Sequence, residues 1–138
     1  MKIVFWSGTG NTEKMANIIA QGITEEGKTA EVINVSDADE NTFDGEDILV
    51  LGCPSMGDEV LEEGEFEPFI ESISGKVSGK KVALFGSYGW GDGQWMRDFE
   101  ERMTSYGANV VVDSLIVNSE PEDDSEECID FGKSVAKA

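Results

Sequence analysis

Short runs of apolar and β-branched residues recur at 2–6, 30–35, 47–52, 81–86 and 110–117, and they predict five strands. Two of them, Ile48-Leu49-Val50-Leu51 and Val82-Ala83-Leu84-Phe85, are continuously apolar, as central parallel strands covered on both faces should be. Helical periodicity fills the intervals. From Asn11 to Glu26, Met15, Ile18, Ile19 and Ile23 share one face, and Gly27 stands where a helix would be capped. Phe66, Phe69, Ile70, Ile73 and Val77 form a second stripe, whose start is confined to the neighbourhood of Pro68. Met96, Phe99 and Met103 give a third, and Ile129, Gly132, Val135 and Ala136 a fourth. Residues 36–46 are acidic and weakly patterned, consistent only with a short or irregular helix.

Strands alternating with helices predict a single α/β domain over residues 1–138, with one parallel sheet and helices on both faces. Ligands of such sheets bind beyond the carboxyl ends of the strands, which directs attention to the loops after strands one, three and four.

Composition narrows the chemistry. The chain has 29 acidic residues against 10 basic ones, a formal charge of −19, so nucleic acid and anionic membranes should be repelled and protein partners should be basic. Solubility alone would also account for the acidity. There is no histidine, which argues against hydrolase, protease and transition-metal chemistry. Cys53 and Cys128 form no CxxC pair, so they read as reduced thiols of a cytoplasmic protein rather than as a metal site or redox dithiol. No run is long enough for a membrane span, and Ser7 and Gly8 interrupt the apolar start before a signal-peptide core could form.

All three candidate loops are chemically unusual. Strand one runs into Ser7-Gly8-Thr9-Gly10-Asn11-Thr12 and then directly into the first helix. Hydroxyls, an amide and the free N–H groups of a helix start form a phosphate-binding arrangement without a cation, and the two glycines let the backbone curl round an anion. The segment lacks the Gly-Lys-Ser/Thr ending of a triphosphate loop, and Glu13 stands where a dinucleotide fingerprint has its third glycine, so a monophosphate fits better. A polar turn with a helix cap is the plainer alternative. After strand three comes Pro54-Ser55-Met56-Gly57-Asp58-Glu59, and after strand four Ser87-Tyr88-Gly89-Trp90-Gly91-Asp92-Gly93. Flanked by glycines, Trp90 has little to pack on unless something flat stacks against it.

The stretch Trp6-Ser7-Gly8-Thr9-Gly10-Asn11-Thr12 resembles the phosphate-binding signature of the flavodoxins, in particular the short-chain, clostridial-like bacterial kind. The two later loops match the flavin-contacting loops of that family in order, and the resemblance spans essentially the whole chain. It implies a doubly wound five-stranded sheet of order 2-1-3-4-5 and a non-covalently bound flavin mononucleotide (FMN). It also implies a low-potential one-electron carrier, not an enzyme, that shuttles between semiquinone and hydroquinone states.

The same resemblance implies roles for individual residues. Ser7, Gly8, Thr9, Gly10, Asn11 and Thr12 would hold the phosphate, with hydroxyls from Ser55 and Ser87. Trp90 would cover one isoalloxazine face and Met56 the other, with Tyr88 as an alternative stacking residue. The Gly57-Asp58 peptide would turn its carbonyl toward flavin N5, Glu59 would accept from N3–H, and backbone groups of Gly89 and Gly91 would meet the pyrimidine edge. Pro54, Asp92 and Gly93 complete the two loops. Trp95 could equally anchor the helix that follows. Partners would be basic reductases or iron–sulfur and flavin oxidoreductases, met by a monomer through an acidic rim. The uninterrupted run Val110–Val117 assigns the short-chain form.

Two rivals share the architecture. A phospho-receiver module needs an acidic pair after strand one and a phosphorylatable Asp after strand three, where this chain has Ser7-Gly8 and Cys53-Pro54. An NAD(P)H-dependent FMN reductase would need a nicotinamide site, for which no surplus segment is present.

Overall fold

The computed structural model describes Met1–Ala138. In chain order the elements are β1 (Lys2–Phe5), α1 (Asn11–Glu25), β2 (Glu31–Asn34), a 3-10 turn (Val35–Asp37), β3 (Ile48–Gly52), α2 (Phe66–Ile73), β4 (Lys81–Tyr88), α3 (Gln94–Ser105), β5 (Asn109–Val110), β6 (Leu115–Asn118) and α4 (Glu126–Lys137). Every strand pairing is parallel, and the order is β2-β1-β3-β4-β5, with β6 also on β4.

Strict alternation along the strands sends side chains to two cores. Val4, Leu49, Leu51, Val82 and Leu84 face the side covered by α2 and α3. Ile3, Phe5, Val50, Ala83 and Phe85 face the side covered by α1 and α4. Burial on both faces is why the central strands carry no polar residue between Ile48 and Leu51 or between Val82 and Phe85.

The expected fifth strand is divided. β5 pairs with Lys81–Val82 and β6 with Phe85–Tyr88, both in the same edge position of the sheet. Between them the chain leaves the ladder at Asp113-Ser114, where the Ser114 hydroxyl donates to Glu100 Oε2 at 2.7 Å. Aspartate and serine are poor strand formers, and here serine has a partner elsewhere.

Two further differences concern ends and loops. Val77 is buried but lies beyond the end of α2, in the turn that follows. Residues 38–46 form turns rather than a helix, and Phe43 anchors them against Phe69 with ring centroids 6.3 Å apart. Lysines clip the same segment from outside: Lys2 Nζ donates to Thr42 O at 2.8 Å and Lys80 Nζ to Glu46 O at 2.7 Å. No helix is long and apolar enough to cross a membrane.

α1 and α4 meet backbone to backbone. A Cβ placed on Gly22 would lie 2.2 Å from the Ile129 carbonyl oxygen, and one on Gly132 would lie 2.2 Å from that of Ile19. Gly132→Ala therefore forces the helices apart and should cost about 1–3 kcal/mol of stability, read from the midpoint of urea unfolding.

Candidate functional site

β1, β3 and β4 end side by side, and the loops leaving their carboxyl ends border a cleft of about 260 Å³. Gly8, Thr9 and Asn11 line it from the first loop, Pro54, Ser55 and Met56 from the second, and Ser87, Tyr88 and Gly89 from the third.

The first loop is braced from behind. Ser7 Oγ accepts the Gly10 N–H at 3.1 Å, and Gly10 adopts φ +96°, a left-handed conformation suited to glycine. Thr12 Oγ1 and Ser87 Oγ lie 3.0 Å apart in a buried bond that ties the first loop to the third. One such bond uses one of the two hydroxyl protons, so the pair retains an O–H to donate elsewhere.

The helix starts differ in how their orphan N–H groups are met. Glu62, nearly buried, accepts from Gly64 N–H at 2.6 Å, Glu65 N–H at 2.6 Å and Phe66 N–H at 3.0 Å at the start of α2. Glu59 Oε1 accepts from Gly93 N–H at 3.3 Å and Gln94 N–H at 3.1 Å at the start of α3. Ser125 Oγ accepts from Cys128 N–H at 3.3 Å in α4. No side chain caps α1, so the first-turn N–H groups of Asn11, Thr12 and Glu13 have no side-chain partner.

In the second loop, Met56 and Val60 exchange two N–H···O bonds of 2.9 Å and close Gly57-Asp58-Glu59 into a tight tip. Gly57 has φ +48°, with open space around its α-carbon, and Glu59 has φ +57°. A glutamate tolerates that conformation because its carboxylate is engaged on α3. Gly57, Asp58 and Glu59 thus stand on the outer side of this loop, with Glu59 folded across to the third. A Cβ on Gly91 would come within 2.4 Å of Glu59 Oε1, so glycine there makes room for the carboxylate.

Trp90, Gly91, Asp92 and Gly93 form the rim and lead into α3. Trp90 is 62% exposed. Asp92 pairs with Arg97 at 2.9 Å. Trp95, by contrast, is buried and donates from Nε1 to Cys53 O at 3.1 Å, with Tyr88 tilted on it at 5.6 Å. It is an anchor for α3, as the alternative reading of its position held.

Two residues of the cleft were not assigned from sequence. Trp6 lines it from the end of β1, and Ser119 closes it from the segment after β6. Ser119 has φ +62°, and its N–H donates to Tyr88 O at 2.8 Å. The strand that ends beside β4 was the available signal, since its exit loop must also open at the carboxyl edge. Lys14 holds this segment onto α1 through Glu120 at 3.0 Å and Asp123 at 2.6 Å, contacts that raise the ammonium pKa and lower that of Asp123.

A parallel sheet of this order, with three loops converging at its carboxyl edge and one uncapped helix start among them, defines a doubly wound α/β protein with its ligand cleft at the switch point. Residues 3–132 match the flavodoxin family, to which the chain belongs. The chain is 68% identical to the flavodoxin of Clostridium beijerinckii, with 99% of each chain covered. It is 44% identical to that of Megasphaera elsdenii over 100% of this chain and 99% of the relative. The solution structure of two-electron reduced Megasphaera elsdenii flavodoxin superposes with a TM-score of 0.90 at 42% identity, covering 99% of this chain and 98% of that one. Flavodoxins are electron-transfer proteins rather than enzymes, and their cofactor is FMN.

Both cysteines, Cys53 just before the second loop and Cys128 in α4, are free and buried. Burial pushes the Cys53 pKa from about 9 up to about 12, and burial also raises that of Cys128. The Cys53 thiol stays protonated in the folded chain where an unfolded thiol has ionised, so it contributes stability below about pH 9 that is lost as pH rises toward 12, and the raised Cys128 pKa acts in the same direction. Neither should react with an aromatic disulfide reagent at pH 8 until denaturant is added, and both should then titrate; rapid native-state labelling would contradict their burial.

Proposed function

We propose that the chain, acting as one domain over residues 1–138 and as a monomer, is a low-potential one-electron carrier holding FMN non-covalently across the three loops. The observation that carries this reading is the start of α1. In a protein of charge −19, its first-turn N–H groups receive no side-chain oxygen, while those of the other three helices do. A phosphate dianion suits such a set of donors. The spare proton of the Thr12–Ser87 pair adds a donor to it.

The remaining groups suit a flat ring system. Trp90 offers an uncovered aromatic face, Met56 a polarizable thioether on the neighbouring loop, and Tyr88 a second ring at the cleft. Glu59 uses only Oε1 to cap α3, which leaves Oε2 to accept from a ring N–H. Backbone groups of Gly89 and Gly91 would meet the same edge.

Bound FMN supplies electron acceptance in single steps, and the chain sets their energies. Surrounding carboxylates disfavour a further negative charge: one unit charge about 10 Å away in water contributes about 0.4 kcal/mol, or roughly 17 mV. Many such charges, before screening, make the last electron strongly reducing. Gly57 has no side chain to hinder a turn of its carbonyl, and it lies exposed at the loop tip. The relative described in the two-electron reduced state supports cycling down to full reduction.

Partners would meet the rim. Trp90 and the 43% exposed Val60 provide an apolar centre, with Asp58, Glu63 and Asp92 exposed around it. Such a surface steers basic redox proteins into short-lived complexes, at rates that fall as salt is raised.

The deciding measurement is an absorption spectrum during stepwise anaerobic reduction. We expect one FMN per chain, two resolved one-electron steps, and no rapid reduction by NADH or NADPH alone. A colourless chain that takes up no FMN would refute the proposal. Gly57→Thr puts a β-branched residue at φ +48° and hinders the carbonyl turn, so the first one-electron potential should become more negative in potentiometric titration. An unchanged potential would remove Gly57 from this role.

A further inference from the structure

The two glycines of the first loop are glycine for different reasons. At Gly10 the backbone requires it: φ is +96°, and an added Cβ would meet nothing within 4 Å. At Gly8 the backbone lies outside the left-handed range, so its conformation is open to any L-residue. What excludes a side chain there is the indole of Trp6. A Cβ on Gly8 would lie 2.9 Å from Trp6 Cη2, 3.2 Å from Cζ3 and 3.8 Å from Cζ2.

Trp6 is itself well fixed. Its N–H donates to Gly52 O at 3.0 Å, continuing the β1–β3 ladder by one residue. Its ring is half-buried against the core on the α2 and α3 side, and it lines the cleft between the first and second loops. The benzo edge therefore reaches from the end of the sheet to Gly8, three residues before α1 begins at Asn11.

We propose that Trp6 is a positioning residue that props the first loop at the height where it receives the phosphate, and that Gly8 is glycine to accommodate the indole. This rests on the FMN reading above. An alanine methyl at position 8 lifts the loop off its support, and a smaller side chain at position 6 lets it sink; in either case donors set for one anion position lose their convergence. A change at both positions partly refills the same space.

The test compares equilibrium binding of FMN and riboflavin by the full-length chain freed of cofactor. The ratio of the two affinities isolates the phosphate contribution, and riboflavin binding reports whether the rest of the site is folded. Gly8→Ala and Trp6→Leu should each lower the FMN-over-riboflavin ratio by about tenfold, the loss that overpacking or underpacking by a small group produces. Riboflavin affinity of Gly8→Ala should fall less than its FMN affinity. The double variant should exceed Gly8→Ala in this ratio, because the two changes act on one contact. Losses that multiply, or a ratio unmoved in Trp6→Leu, would overturn the role of Trp6. Should the parent chain itself fail to prefer FMN to riboflavin, the FMN reading falls, and the proposal with it.

Discussion

Every helix begins with backbone N–H groups that no preceding turn can bond, and this chain meets that demand in two ways. Glu62, Glu59 and Ser125 bring side-chain oxygens to the starts of α2, α3 and α4. The start of α1 is left to the solvent side of the cleft. The difference is set by where the elements sit. α1 begins at the carboxyl edge beside β3 and β4, where the neighbouring loops supply Ser55 and Ser87, hydroxyls that can donate, instead of carboxylates that can only accept. The site depends on this concentration of donors in an otherwise acidic molecule.

The two glutamate caps also determine which part of the second loop can move. Glu62 ties its far end to α2, and Glu59 ties its tip to α3. The Met56–Val60 bridge closes the base. Between these ties Gly57 and Asp58 are exposed, and a Cβ on Gly57 would meet nothing within 4 Å. In the proposed reading this leaves the peptide following Gly57 as the unit that turns toward the flavin. Trp95 serves the same end from beneath, bonding to the Cys53 carbonyl and supporting Tyr88.

Much of this was legible in the residues because the relevant signals are local. Continuous apolar runs marked β3 and β4, helical stripes marked all four helices, and glycines with hydroxyls after β1 marked a loop that borders the cleft. What could not be read depends on contacts distant in sequence. The break between β5 and β6 follows from Ser114 finding Glu100 on α3. Ser119 reaches the cleft only through its bond to Tyr88. Trp6 stood in plain view within the motif, but its relation to Gly8 is a matter of ring placement, which spacing does not express. Residues 36–46 looked undecided because they are held by tertiary clips from Lys2, Lys76 and Lys80 rather than by a pattern of their own.

The choice of uncharged donors in the first loop bears on the redox role in the proposed reading. A lysine or arginine there would hold a phosphate more firmly, yet it would also set a positive charge close to the flavin and relieve the negative field that makes the last electron reducing. Lys14 is the basic residue nearest to this loop in sequence, and it is turned away onto Glu120 and Asp123, where two carboxylates outnumber one ammonium. Affinity for the dianion then comes from oriented N–H and O–H dipoles, which carry no net charge. The same chain can in this way bind an anionic cofactor and keep its surroundings negative, two requirements that a cationic phosphate site would bring into conflict.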